Sequence, residues 1–190
     1  LPFQQKYPER FFDTGIAEQH ALTSAAGMAR AGLRPFVAVY STFLARGFDQ
    51  VMYDIGLHAL PVVICVDRAG ITGPDGASHH GVHDIAMYAR VPGMTIFAPS
   101  SLQELPVMLN QALEIEDGPV AIRWPRGNAT ESEQVGQGMT ARLVHEGEDV
   151  AILAAGKMLA AATTASNLLA EEGVNAALWD PRILKPIDQE

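Results

Sequence analysis

Short runs of β-branched and aromatic residues alternate along the chain with longer stretches in which apolar positions recur every three or four residues. The runs predict strands over 10–16, 34–40, 60–67, 95–98 and 120–124. Helices are predicted over 17–31, with Gly32 as C-cap, and from Ser41, as N-cap, to about Leu57. In the latter, Leu44, Phe48, Val51, Met52 and Ile55 form the apolar stripe. A short helix over 85–89 and one from Ser100 or Ser101 to Glu116 complete the series. The stretch 60–67 is nearly all apolar, as a parallel strand covered on both faces should be.

Two stretches break this grammar. Residues 68–84 are polar and glycine-rich, which predicts a long functional loop rather than a regular element. Residues 129–140 carry almost no large apolar side chains and read as a linker. Beyond it the pattern restarts, with strands over 141–145, 150–154 and 176–179 and a helix over 159–170. The expected organisation is α/β: a mostly parallel, doubly wound sheet over 1–128, the linker, and a truncated second α/β unit over 141–190.

In a parallel sheet the C-terminal ends of the strands share one edge, and ligands bind in the crevice outside it. The polar residues that follow strands are therefore the candidates: Glu18, Tyr40, Arg46, Arg68, Asp75, His79, His80 and Arg126.

Charge narrows the chemistry. Acidic residues number 22 against 13 basic ones, a formal charge of −9, which makes a poor surface for nucleic acid or for a polybasic membrane contact. Ten of the basic residues are Arg, the type suited to gripping phosphate or carboxylate. Cys65, the single cysteine, excludes an internal disulfide and reads as a buried strand position. The apolar stretches fall far short of the roughly 20 residues that span a bilayer. With no signal-peptide pattern at the start, the expected setting is cytoplasmic. The missing initiator Met and the abrupt ending suggest an excerpt from a longer polypeptide.

Each candidate has a plain and a chemical reading. Glu18 in a first helical turn complements the macrodipole, or it is a crevice carboxyl that shares a proton with a ligand nitrogen. Phe43 lies one position off the apolar stripe and is either core or a platform for a planar ring. Arg46 is a solvated charge or an anchor. Arg68 and Arg126 either pair with carboxylates or converge on an anion, most simply a phosphate. The histidines at 79, 80 and 83 lack a zinc pattern and fit proton transfer or substrate binding better, so no metal ligand is expected here.

The stretch from Phe12 to His20 (FDTGIAEQH) resembles the signature of the pyrimidine-binding domain in transketolase-group enzymes that use thiamine diphosphate. Together with 40–46 (YSTFLAR), 67–81 and 123–128 (RWPRGN), it is similar to the 1-deoxy-D-xylulose-5-phosphate synthases. The tail from Leu184 to Asp188 resembles the start of that family's C-terminal domain. The resemblance implies decarboxylation of pyruvate on thiamine diphosphate and condensation with glyceraldehyde 3-phosphate, the first step of a non-mevalonate isoprenoid route. It places Glu18 on the catalytic glutamate that hydrogen-bonds the aminopyrimidine ring. It places Phe43 and Arg46 at the cofactor, Phe43 as the stacking aromatic. Tyr40, Arg68, Asp75, His79 and Arg126 fall around the phosphorylated aldehyde, with His79 also a candidate catalytic proton donor.

The family's Gly-Asp-Gly segment, which holds diphosphate and Mg2+, does not occur in this sequence. The resemblance therefore implies half a site, completed by an N-terminal domain, inactive alone, and a homodimeric whole. Two alternatives stand beside it. One is a transketolase or the beta subunit of a 2-oxo acid dehydrogenase; the other is a non-catalytic fragment or assembly module.

Overall fold

A computed structural model describes residues 1–128, 130–132 and 134–189; positions 129 and 133 of the expected linker, and 190, lie outside the described residues. Among the described residues, eight strands form two sheets. β1 (Phe36–Tyr40), β2 (Val63–Asp67), β3 (Thr95–Phe97), β4 (Val120–Arg123) and β8 (Ile183–Lys185) make the larger one, in the order β1-β2-β4-β3-β8. Its first four strands are mutually parallel, and β8 runs antiparallel to β3. The smaller sheet has β5 (Arg142–His145), β6 (Val150–Leu153) and β7 (Ala176–Asp180) in the order β5-β7-β6.

Alternation along the central strands sends side chains to two cores. Ile64 and Val66 pack with Leu22, Ala25 and Ala26 of α2 (Glu18–Arg30), which follows the short α1 (Pro2–Lys6), and with Leu44, Val51 and Ile55. Val63 and Cys65 pack with Met108 and Ala112 of α5 (Glu104–Glu114) on the opposite face. Burial pushes the Cys65 thiol up to about 11, which makes it an inert core residue. The smaller sheet is covered on one face by α6 (Met158–Glu171), where His145 meets Ser166 at 3.3 Å. Among the described residues, no helix is long and apolar enough to cross a membrane.

The structure departs from the sequence reading in five places, one of them α5, which starts at Glu104 rather than at Ser100 or Ser101, although Ser101 Oγ accepts the Glu104 N–H at 3.2 Å. Residues 11–17 form no strand, because Asp13 accepts the Gly15 N–H at 2.9 Å and Gly15 takes φ +65°, a turn that breaks an extended run. The stretch 41–57 is not one helix. It divides into α3 (Ser41–Leu44), a 3-10 turn (Ala45–Gly47) and a wide π-type turn (Gln50–Gly56). Its apolar stripe nonetheless faces the core as expected. Ser41 is the first residue of α3 rather than its cap, and its buried hydroxyl has no partner among the described residues. Finally, residues 183–185 of the expected second unit return to the first sheet, where Ile183 is buried against Phe97 and Met108.

That return is pinned by a buried ionic cluster. Arg182, fully buried, pairs through Nε with Glu104 of α5. Its Nη1 donates to the carbonyls of Gln137, Gly138 and Thr140 at 3.0, 3.1 and 2.8 Å. Asp180 accepts the Arg182 N–H at 3.0 Å and pairs with Arg142 at 3.2 Å. Burial would raise the Glu104 carboxyl, but the Ser100 N–H, Arg182 and the Ser100 hydroxyl outweigh it and hold the group below its ordinary value. For Asp180 burial prevails and its carboxyl lies above the ordinary value.

Candidate active site

The site begins with register. Tyr40 and Asp67 are paired neighbours at the C-terminal ends of β1 and β2. Arg68 follows in the left-handed region at φ +56°, unfavourable for a side chain of this size. Its N–H and Nη1 both bond the Asp67 carboxylate, at 2.7 and 2.8 Å, which offsets that strain. The guanidinium is thereby turned over the Tyr40 ring, with Cζ 3.9 Å from the centroid. Burial lowers the Arg68 pKa, but the Asp67, Tyr40 and Asp75 side chains raise it by more, so the cation is secured.

The 68–84 loop closes on itself. Gly70 and Gly81 exchange backbone hydrogen bonds of 2.7 and 2.9 Å. Gly81 sits so close to α3 that a Cβ there would lie 2.3 Å from the Ser41 Oγ and 2.6 Å from the Arg68 carbonyl, so a side chain is excluded. Two 3-10 turns, Gly73–Asp75 and Ala77–His79, are the loop's only regular pieces among the described residues. They present Asp75 and His79 towards the strand ends. One Asp75 oxygen, Oδ2, accepts from Arg68 Nε at 3.2 Å and forms an ion pair with Arg126 Nε at 3.1 Å. The His79 ring meets Phe43 edge-on at 5.3 Å, and its Nδ1 lies 3.0 Å from the Ser78 hydroxyl. Phe43 stacks on Tyr40 at 5.7 Å and 17°, and Arg46 lies 5.9 Å from the Phe43 ring.

Tyr40, Phe43, Arg46, Arg68, Asp75, His79 and Arg126 thus form one connected set. Glu18 adjoins it through Gly47, where a Cβ would meet Leu22 at 2.3 Å and the Glu18 backbone carbonyl at 3.7 Å. This seats the Arg46-bearing turn against the first turn of α2. Glu18 is only 8% exposed, yet its carboxylate makes no hydrogen bond or ion pair with any described residue. Its oxygens are not among the buried atoms left without a partner, so the carboxylate still opens onto the crevice, where a ligand can reach it.

His80 and His83 stand outside the set. The Nδ1 of His80 accepts the Thr72 N–H at 3.1 Å, so that nitrogen is unprotonated and the ring braces the loop. His83 is exposed beside α4 (Asp84–Tyr88). Two supporting carboxylates escaped sequence reasoning. Asp67 aims Arg68. Asp84 pairs with Arg123 of β4 at 2.8 Å and anchors the loop's far end. The only signal for either was an acidic residue at the boundary of the loop. Among the described residues, no group of three or more His, Cys, Asp or Glu is placed to hold a metal ion.

A doubly wound sheet with this set on its C-terminal edge is the architecture of a transketolase-type domain. Residues 2–131 match the family described as transketolase, pyrimidine binding domain, and the chain belongs to it; residues 139–190 match transketolase, C-terminal domain. The chain is 48% identical to the 1-deoxy-D-xylulose-5-phosphate synthase of Thermomicrobium roseum, with 100% of this chain covering 31% of that protein. It is 50% identical to the enzyme of the same name from Chlorobium phaeovibrioides, over 98% of this chain and 30% of that one. The chain therefore spans about a third of the length of these relatives. A solved structure described as a split gene transketolase, inactive beta4 tetramer, is 36% identical with TM-score 0.88, over 98% of this chain and 61% of that chain. A Pichia stipitis transketolase shares the fold at TM-score 0.84 and 19% identity, over 93% of this chain and 27% of its own.

Proposed function

We propose that this chain is the pyrimidine-side half of a thiamine-diphosphate-dependent transferase of the 1-deoxy-D-xylulose-5-phosphate synthase type. The whole enzyme joins the two-carbon unit of pyruvate to glyceraldehyde 3-phosphate. The observation that carries the reading is Glu18, a residue 8% exposed at the crevice whose carboxylate has no partner among the described residues and still opens to solvent. The residues present fit the cofactor: an acid able to give and take a proton at a ring nitrogen stands beside the aromatic pair of Phe43 and Tyr40. Thiamine diphosphate, when bound, supplies the electron sink that decarboxylation of a 2-oxo acid requires.

The chain's own residues have distinct tasks. Glu18 holds a proton at the aminopyrimidine ring nitrogen. Phe43 provides the surface for that ring, with Arg46 at its edge. Arg68 and Arg126, held in common by Asp75, bind the phosphate of the aldehyde, while Tyr40 orients Arg68. His79, braced by Ser78, donates or holds a proton at the aldehyde oxygen. Diphosphate and Mg2+ are assigned to a separate N-terminal domain. A homodimeric assembly and a cytoplasmic setting go with this reading. Support for inactivity in isolation comes from the 36%-identical relative, itself an inactive tetramer of one split-gene product.

The test is reconstitution. Mixed with the diphosphate-binding half of a related synthase, the chain is expected to form 1-deoxy-D-xylulose 5-phosphate. By itself it is expected to show no calorimetric binding of thiamine diphosphate with Mg2+ in the micromolar range. Transfer to a sugar phosphate acceptor in place of the expected product would favour a transketolase instead.

A further inference from the structure

A cavity of about 100 Å3 lies on the same sheet edge, between the ends of β3 and β4, and the reading above does not use it. Its walls are largely apolar: Pro99, Leu102, Leu105, Trp124 and Pro125. Polar groups sit among them at Ser100, Ser101, Asn128 and Thr130. Lys157, the residue before α6, is the only ionisable side chain in the lining. The lysine reaches over from the second unit, its Nζ 3.9 Å from the position a Cβ would occupy on Gly127. Its ammonium has no ion-pair partner among the described residues.

The chemistry of an occupant follows. A space of this size takes on the order of six non-hydrogen atoms. Apolar walls favour a hydrocarbon body, and one ammonium at the rim favours a single negative charge. Ser101 Oγ accepts the Glu104 N–H at 3.2 Å, which leaves its own proton free to donate. A dianion is disfavoured, because the chain carries −9 and offers one cation here. We infer that this cavity is a binding site for a small monocarboxylate with a short aliphatic tail, held by Lys157 and the Trp124 wall and distinct from the Arg68–Arg126 anion site.

The test uses the 190-residue chain with Trp179→Phe, so that Trp124 is the sole indole. Butyrate, butyramide and acetate are titrated while the Trp124 indole N–H resonance is followed. Butyrate is expected to shift it saturably in the millimolar range. Butyramide lacks the charge and acetate lacks the tail, so each is expected to bind roughly three- to tenfold more weakly. Lys157→Gln is expected to weaken butyrate by a similar factor, with an unchanged melting temperature because Lys157 is exposed. No saturable shift with butyrate, equal binding of butyramide, or full retention in K157Q would each overturn the inference.

Discussion

Two regions of this molecule are built from the same parts, arginines against carboxylates, and they do opposite things. At the inter-unit cluster Arg182 is fully buried and bonds Glu104 and three carbonyls. At the crevice, Arg68 and Arg126 share one oxygen of Asp75, and Arg126 is 41% exposed in its side chain. The first set is sealed from solvent: its carboxylates are paired, although Arg182 Nη2 and Arg142 Nε are buried without a hydrogen-bond partner among the described residues. The second is aligned but left open, and beside it lies Glu18 with no partner among the described residues. Charge density alone does not mark a site. What marks it is polar groups held in place with bonding capacity to spare.

That contrast can be broken most forcefully at Glu18. Glu18→Gln in the reconstituted enzyme is expected to lower turnover by about 10²–10⁴, with the unfolding midpoint of the chain unchanged. Product formation and a urea melt check the two halves of the statement. Arg182 is expected to behave in the reverse way. Arg182→Met leaves Glu104 buried and unpaired and is expected to cost about 3–5 kcal/mol in urea unfolding. Adding Glu104→Leu should return part of the loss, since a matched apolar pair replaces a matched ionic one.

A smaller effect is expected at Arg126. Arg126→Lys keeps the charge but loses the planar fork, so the KM for the phosphorylated aldehyde should rise roughly tenfold while kcat changes little. The smallest effect sharpens the closed cluster through pH. The Glu104 carboxyl is depressed in the folded chain, so its contribution is present above its ordinary value of 4.5 and is lost as pH falls through the lower folded value. Asp180, raised by burial, has the opposite sign: its contribution is present below the ordinary 3.8 and is lost as pH rises through the folded value. Urea melts across acidic pH should therefore fall less steeply for Glu104→Gln than for the parent chain.

Much of this was legible in one dimension. The alternation of strands and helices gave the doubly wound sheet, and the rule that ligands gather at strand C-termini selected Glu18, Tyr40, Arg46, Arg68, Asp75, His79, His80 and Arg126 before any coordinates, of which His80 instead braces the loop. Strand periodicity and glycine content are local properties, and a chain carries them openly. The failures were also local. Apolar residues in 10–16 looked like a strand because a turn set by Asp13 and Gly15 leaves the same composition.

What no reading of the chain could settle was pairing across distance. That Asp75 bridges two arginines, that His80 turns inward to Thr72 while His79 meets Phe43, and that residues 183–185 cross back to extend the first sheet all depend on which segments pack together. Residue types determined the available chemistry, because each side chain brings its donors, acceptors and charge wherever it lies. Only the tertiary structure decided which of those groups are consumed by the fold and which are left over, since satisfaction is a property of neighbours in space rather than in sequence.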